Sequence, residues 1–252
     1  MADGGGPVTD TRPPDVITVA GHDLVDELIG RRSFTDMIHL VLTRDPSPPP
    51  GHREMIDALL VTLCDHGVTP SSMAARLTLL GAPEAMQAAV AAGLCGAGSR
   101  FLGTLENAGT ILTDVLERHP DVPLAEVADV VVAEAKADGR PVIGIGHPEH
   151  KHGDPRVPRL LELAGTHGVR GRTIELLLEL PEALARAGGP RLPVNGGGLC
   201  GAIVADMGYG PTFGRGIAVI ARAAGLVGQL LDEERDPVAR KLWDREREDP
   251  VR

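Results

Sequence analysis

Residues 144–156, Gly-Ile-Gly-His-Pro-Glu-His-Lys-His-Gly-Asp-Pro-Arg, bring three histidines, a lysine, an arginine and two carboxylates into one short stretch. Gly144 and Gly146 let the backbone approach a ligand closely or take positive φ. The basic side chains donate hydrogen bonds or titrate near neutrality. Asp154-Pro155 has the pattern of an N-cap followed by proline at the first helical position. Arg156 then falls in a first helical turn, beside unpaired amides and the positive end of the helix dipole. Such a loop suits a carboxylate or a phosphate. Two other readings stand beside this one: a polar surface loop, and a metal site built from His147, His150, His152 and Asp154. Their spacing fits no standard ligand signature, and Lys151 interrupts it.

The elements around this loop read as helices by their apolar period. Pro141-Val-Ile-Gly144 is a short extended lead-in. Residues 157–166 and 172–188 follow as helices, with Pro181 expected to break or kink the second and Gly188-Gly-Pro190 to end it. Leu192-Pro-Val-Asn195-Gly-Gly-Gly198 opens an apolar helix through Met207. Its glycines suit a close-approach turn or a nest of free amides for an anion. The last long helix, about Phe213 to Leu231, carries Ile217, Ile220, Ala224, Val227 and Leu231 with Arg222 among them, and an arginine so placed demands an anionic partner. Earlier in the chain, residues 22–43 read as two helices parted at Gly30-Arg31-Arg32, and Asp45 to Gly51 is a proline-rich linker. A helix from Glu54 ends near Asp65-His66-Gly67, and Thr69-Pro70 caps the next. Further helices are expected over Ala85–Gly98, Ile111–Arg118 and Leu124–Ala137. About ten helical segments and almost no alternating runs predict an all-α fold.

Composition narrows the partners. A chain of 252 residues can bury a sizeable core. A net charge of -10 and a pI near 5.3 argue against nucleic acid, and 2% aromatic residues leave no platform for stacking bases. Cys64, Cys95 and Cys200 sit in apolar helical contexts without close partners and read as small core residues of a reducing compartment. No uncharged apolar run approaches the ~20 residues that span a bilayer. Residues 1–15, rich in Gly, Pro and Asp, are expected to be a disordered tail. A cytoplasmic protein, bound to no membrane, is the expectation.

Four segments in order carry a resemblance to the citrate synthase superfamily, nearest to its short citryl-CoA lyase-like branch. The Gly-Ile-Gly-His to Asp-Pro-Arg stretch resembles the family segment whose histidine meets the oxaloacetate carbonyl, whose glycines and basic residue lie along coenzyme A, and whose arginine grips a carboxylate. The resemblance thereby implies roles for His147 as catalyst and substrate ligand, Gly144, Gly146 and Lys151 as the coenzyme A site, and Arg156 as a substrate ligand. Asp65-His66 resembles the family junction whose histidine binds oxaloacetate, and Ile217 to Gly225 resembles the helix whose arginine, here Arg222, binds a carboxylate. Arg240 is aligned with an arginine that the family donates across a dimer interface. Two positions depart: Gly98-Ser-Arg-Phe-Leu-Gly places Phe101 at the family's catalytic histidine, and Asn195-Gly-Gly-Gly places Gly197 at its catalytic aspartate.

The resemblance implies a citrate synthase-like fold, with a large helical domain from residues 16–97 and 198–252 and a smaller one, 98–197, closing over a cleft. It implies a homodimer, a coenzyme A thioester as substrate, and no tightly bound cofactor or metal. The implied activity joins or splits the carbon–carbon bond between an acyl-CoA and an oxaloacetate-like keto acid. His147 is then the main polar catalyst, with Glu149 or His150 as stand-in base. The alternative is a binder of a dicarboxylate or acyl-CoA that has lost the enol-side groups.

Overall fold

The computed structural model describes residues 8–11, 15–147 and 150–248, and among them eleven α-helices follow a three-stranded sheet. The strands are β1 (Thr9–Asp10), β2 (Thr18–Val19) and β3 (His22–Asp23), paired antiparallel in that order. The β2–β3 hairpin turns on Ala20 and Gly21, at φ 51° and 86°, as a two-residue loop with both centres left-handed must. Two-residue strands are too short to show an alternating pattern, so periodicity missed them. Thr9 and Asp10 pair within the stretch expected to be a tail, while residues 1–7 and 12–14 of that stretch lie outside the described residues. The helix expected from about residue 22 is instead β3 followed by a single wide turn, Leu24–Leu28, capped by the Asp23 carboxylate on the amides of Val25 and Asp26, each at 2.8 Å.

The chain divides into two compact units, Met1–Asp57 and Ala58–Arg252. The first packs Val19, Leu28 and Leu40 with Leu24, Met37 and Val41. Its helix α1 (Phe34–Thr43) starts at a reciprocal box between Ser33 and Asp36. The proline-rich linker then leads to α2 (His52–Leu63), within which the boundary falls.

The second unit carries every candidate site residue. α3 (Pro70–Gly81) begins as expected at Thr69-Pro70, with Thr69 and Ser72 capping each other. It packs on α4 (Met86–Ala97) and on the long α10 (Pro211–Arg235) through Ala75, Ala89, Leu226 and Leu230. A wide turn, Gly98–Leu102, carries Phe101 and joins α4 to α5 (Gly103–Arg118). Arg215 of α10 holds that turn, donating to the Gly98 carbonyl at 3.3 Å and pairing with Glu106 at 3.1 Å. α6 (Leu124–Ala137), α7 (Arg156–Thr166), α8 (Arg172–Arg186), α9 (Gly196–Asp206) and α11 (Val238–Glu248) complete it.

Helix α8 runs through Pro181 rather than breaking there. Proline removes one helical hydrogen bond, but Ile174, Leu176, Leu177, Leu180 and Ala183 are fully buried on either side of it, and their packing holds the helix together. α10 is long and apolar enough, by composition, to cross a membrane; here Ile217, Leu226 and Leu230 are buried in the unit's own core.

Small residues set the spacing of α5 and α9. A Cβ on Gly201 would lie 2.3 Å from the Leu105 carbonyl oxygen, and one on Gly109 3.2 Å from that of Gly201. Gly201→Ala should therefore lower stability by about 1–3 kcal/mol, read by urea denaturation. Gly228→Ala, on a helix position where nothing lies within 4 Å of the added Cβ, should raise it by about 0.5–1 kcal/mol. Equal midpoints for the two variants would contradict this account of the α5–α9 approach.

Candidate functional site

A buried carboxylate organises the site. Asp154 ends the histidine-rich loop and is 3% exposed. Its Oδ1 accepts from the Arg156 amide at 3.1 Å and from Arg156 Nε at 2.9 Å, and its Oδ2 from Arg156 Nη2 at 2.7 Å and from the Gly196 amide at 2.7 Å. One side chain thus joins the starts of α7 and α9 and clamps Arg156 bidentately. Burial opposes ionisation of Asp154, but the Arg156 guanidinium and the two amides outweigh it and hold the carboxyl far below the usual range. The sequence pattern predicts Arg156 as an open carboxylate ligand; with Nε and Nη2 engaged, its Nη1 is the donor left for a ligand. Behind the pair, burial pushes the Cys200 thiol up to about 12, so it is no nucleophile at neutral pH.

The loop's glycines are needed for close approach. Gly144 and Gly146 have φ 80° and 75°, and a Cβ on Gly144 would sit 2.5 Å from Leu177 Cδ1. The segment is zipped to the extended residues 192–195 before α9: the Gly146 amide donates to the Pro193 carbonyl at 2.7 Å, and the Asn195 amide to the Gly144 carbonyl at 2.9 Å. The Asn195 side chain donates to the Gly146 carbonyl and caps α9 through the Gly198 amide, both at 2.8 Å. Of the three glycine amides opening α9, those of Gly196 and Gly198 are taken by Asp154 and Asn195, and Gly197, partly exposed, offers the next one.

His66 lies between α2 and α3, and the fold brings it to His147 and His150. The rings of His147 and His150 stack with centroids 4.5 Å apart, and His66 lies 5.8 and 5.9 Å from them. Ligand nitrogens of the three lie within 4.8 Å of one another, so the trio that could gather a metal ion includes His66, in place of the exposed His152 and the fully engaged Asp154. One feature favours an oxygen acceptor there instead: the His150 amide donates to His147 Nδ1 at 3.2 Å, which assigns the ring proton to Nε2 and leaves no lone pair there for an ion. Burial first, then His150, His66 and Arg156, lower the His147 pKa below 6.5, against the pull of Asp154. At neutral pH His147 is therefore a neutral Nε2–H donor.

Arg222, on α10, is half-buried. Its Nε is buried without a partner among the described residues, and its Nη2 reaches only the Leu63 carbonyl, at 3.5 Å. Burial lowers its pKa against the pull of Asp65 and Cys64. A buried donor left so costs about 1–3 kcal/mol, more when charged, and an anionic ligand would recover it. Arg240 is not brought to this cluster by its own contacts: it pairs with Asp244 at 3.0 Å and lies over Trp243, both on α11. Lys151 is exposed in a turn. Glu149 lies outside the described residues. Phe101 is 48% exposed, and a Cβ on Gly197 would lie 3.2 Å from Thr104 Cγ2.

Residues that sequence reading left without a role are Asp65, Arg76, Gln229 and Glu233. The Gln229 amide donates to both Asp65 oxygens at 3.0 Å and accepts from Arg76, which pairs with Glu233. A signal existed: Arg222, Gln229 and Glu233 are seven and four residues apart, on one stripe of a long helix.

Asp154→Asn should destabilise the fold by about 3 kcal/mol at pH 7, the scale for breaking a buried ion pair. Because the folded-state pKa is depressed, this contribution is whole above about pH 4 and fades as the pH falls through the lower folded value. Urea denaturation of both proteins at pH 7 and pH 3 should show the gap narrowing with acid. A gap that is constant or widens would contradict the assignment.

Comparison with known proteins places this geometry. The model of the citrate synthase C-terminal domain family matches residues 20–243. The structure of the citryl-CoA lyase from Hydrogenobacter thermophilus is similar at TM-score 0.79 and 28% identity, covering 92% of both chains. That of the ATP citrate lyase from Methanothrix soehngenii, in complex with citrate and coenzyme A, is similar at TM-score 0.74 and 22% identity, covering 90% of this chain and 38% of that one. Bos taurus ATP-citrate synthase is 25% identical over 209 residues, 76% of this chain but only 18% of its own length. With a family model spanning most of its length and a helical fold shared with citryl-CoA lyase, the chain belongs to the citrate synthase family.

Proposed function

We propose that the protein makes or breaks the carbon–carbon bond between an acyl-CoA and an oxaloacetate-like keto acid, as a citryl-CoA lyase-like enzyme. The observation that carries this reading is the buried Arg222 Nε, unpartnered among the described residues. It lies in a site that also holds the neutral donor His147. A dicarboxylate fits that pattern, with Arg222 and the Arg156 Nη1 on its carboxylates and His66 beside them. The His147 Nε2–H then faces the keto oxygen. In the joining direction the enolate carbon of the thioester attacks the keto carbon, charge builds on the keto oxygen, and the imidazole donor stabilises it. Cleavage is the reverse: the carbinol proton leaves, the carbon–carbon bond breaks, and the thioester enolate takes up a proton. His150, stacked on His147, is our choice for the group that moves that proton, since position 197 has no carboxylate.

The same reading assigns the nucleotide end of the thioester to a neighbouring groove. A groove of about 410 Å³ is lined by Lys136, Arg140, Pro141, Ile145, Leu184 and Leu192. It shares Ile145 with the Gly144–Gly146 turn, so a thioester along that backbone would meet the two cations with its phosphates. The proposal keeps residues 98–197 as a smaller domain closing over the cleft, a cytoplasmic setting and a homodimer to which Arg240 belongs. Val219, Val227 and Leu231 are between 36% and 46% exposed along α10, an apolar face for a second copy to cover.

A second reading, a non-catalytic binder of a dicarboxylate or acyl-CoA, is favoured by Phe101 and Gly197. Neither can exchange a proton, and a general base is worth about 10²–10⁴-fold.

The test is oxaloacetate release from citryl-CoA by the purified chain. Release is expected, with His147→Ala abolishing it and Arg222→Leu weakening citrate binding by about 1.5–3 kcal/mol. Activity should fall on the acid side as His147 becomes imidazolium, at a midpoint below 6.5. Exchange of acetyl-CoA methyl protons with deuterated water, in the presence of oxaloacetate, should be slow. Tight binding of citrate and coenzyme A esters with no release would favour the binder.

A further inference from the structure

We propose that Gln229 is a positioning residue that holds Asp65 away from Arg222 and so keeps that guanidinium available to a ligand's carboxylate. The inference rests on the reading of Arg222 as a carboxylate-binding group. Asp65 is close enough to act electrostatically on Arg222, and it is two residues from Leu63, whose carbonyl Arg222 Nη2 approaches at 3.5 Å. An internal ion pair between the two would be the ordinary outcome for a buried arginine. It does not form: Arg222 Nε has no partner among the described residues, and both Asp65 oxygens accept from Gln229 Nε2 at 3.0 Å.

The orientation of the Gln229 amide is dictated from behind. Its Oε1 accepts from Arg76 Nε at 3.0 Å and also from Nη2, and Arg76, 5% exposed, is fixed by its pair with Glu233. Turning the amide over would set NH₂ against a guanidinium and a carbonyl against a carboxylate. Glu233 is pinned in turn by the amides of Val238 and Ala239, at 3.1 and 2.7 Å, where α11 begins. The relay from α11 to the His66 loop thus has a fixed polarity, and its last donor engages a carboxylate that acts electrostatically on Arg222.

The experiment compares the full chain with Gln229→Leu, Gln229→Glu and the double variant Gln229→Leu/Asp65→Asn. Gln229→Glu keeps an acceptor for Arg76 and repels Asp65, so it answers the question should the leucine variant fail to fold. Crystal structures of the single variants should show an Asp65 oxygen within hydrogen-bond distance of Arg222; an unmoved Asp65 overturns the proposal. Citrate affinity by calorimetry should fall about tenfold or more in both single variants, the loss expected for one hydrogen bond to a charged group. The double variant should recover it, because a neutral amide at position 65 cannot neutralise the Arg222 guanidinium; loss without recovery would mean that Gln229 only supports packing. If the parent chain binds no citrate, the carboxylate reading of Arg222 falls, and the position of Asp65 in the variant crystals still decides the role of Gln229.

Discussion

Everything at the site hangs on the Asp154 carboxylate. It is almost fully buried and accepts four hydrogen bonds, from Arg156 and from the first amide of α9. Without it the start of α9 would carry an unmatched amide beside a buried thiol, and Arg156 would have no fixed direction. The start of α9 and the Gly144–Gly146 turn then follow, because the Asn195 side chain caps the one with its oxygen and donates to the other with its amide. Positions that look like separate motifs in the sequence form one hydrogen-bonded body.

Two kinds of arginine share that body and do different work. Arg156 is neutralised inside the protein and contributes geometry. Arg222 keeps a buried donor without a partner among the described residues, and this is the more telling observation for function, since buried polar groups in folded proteins are as a rule hydrogen-bonded. The difference does not come from distance to a carboxylate alone. Asp65 is near Arg222, but its oxygens face Gln229.

Phe101 and Gly197 stand where the sequence resemblance leads one to expect a catalytic histidine and aspartate. Gly197 is compact enough to sit against Thr104, and Phe101 turns half-exposed on the wide turn held by Arg215. The helix start, its Asn195 cap and the close approach of small residues are all in place around Gly197.

How much of this was legible beforehand depends on the range of the interaction concerned. Local rules found the helices, the Thr69-Pro70 start, the Asp154-Pro155-Arg156 junction and the glycine turn, because capping and apolar period act over a few residues. Motif order pointed to His66, His147, Arg156 and Arg222. The two-residue strands were beyond any periodic signal, and α8 kept its Pro181 because buried neighbours outweigh one lost hydrogen bond. That Asp154 also holds the start of α9, that His66 rather than His152 joins His147, and that Gln229 faces Asp65 are matters of contacts between residues far apart in the chain, 42 and 164 positions in the cases the hydrogen bonds record. The sequence determined which groups exist, which helices carry them and, through a pair two residues apart, that Arg156 meets Asp154; tertiary packing decided that Asp65 faces Gln229 and not Arg222, because a hydrogen bond's partner is chosen by distance in space.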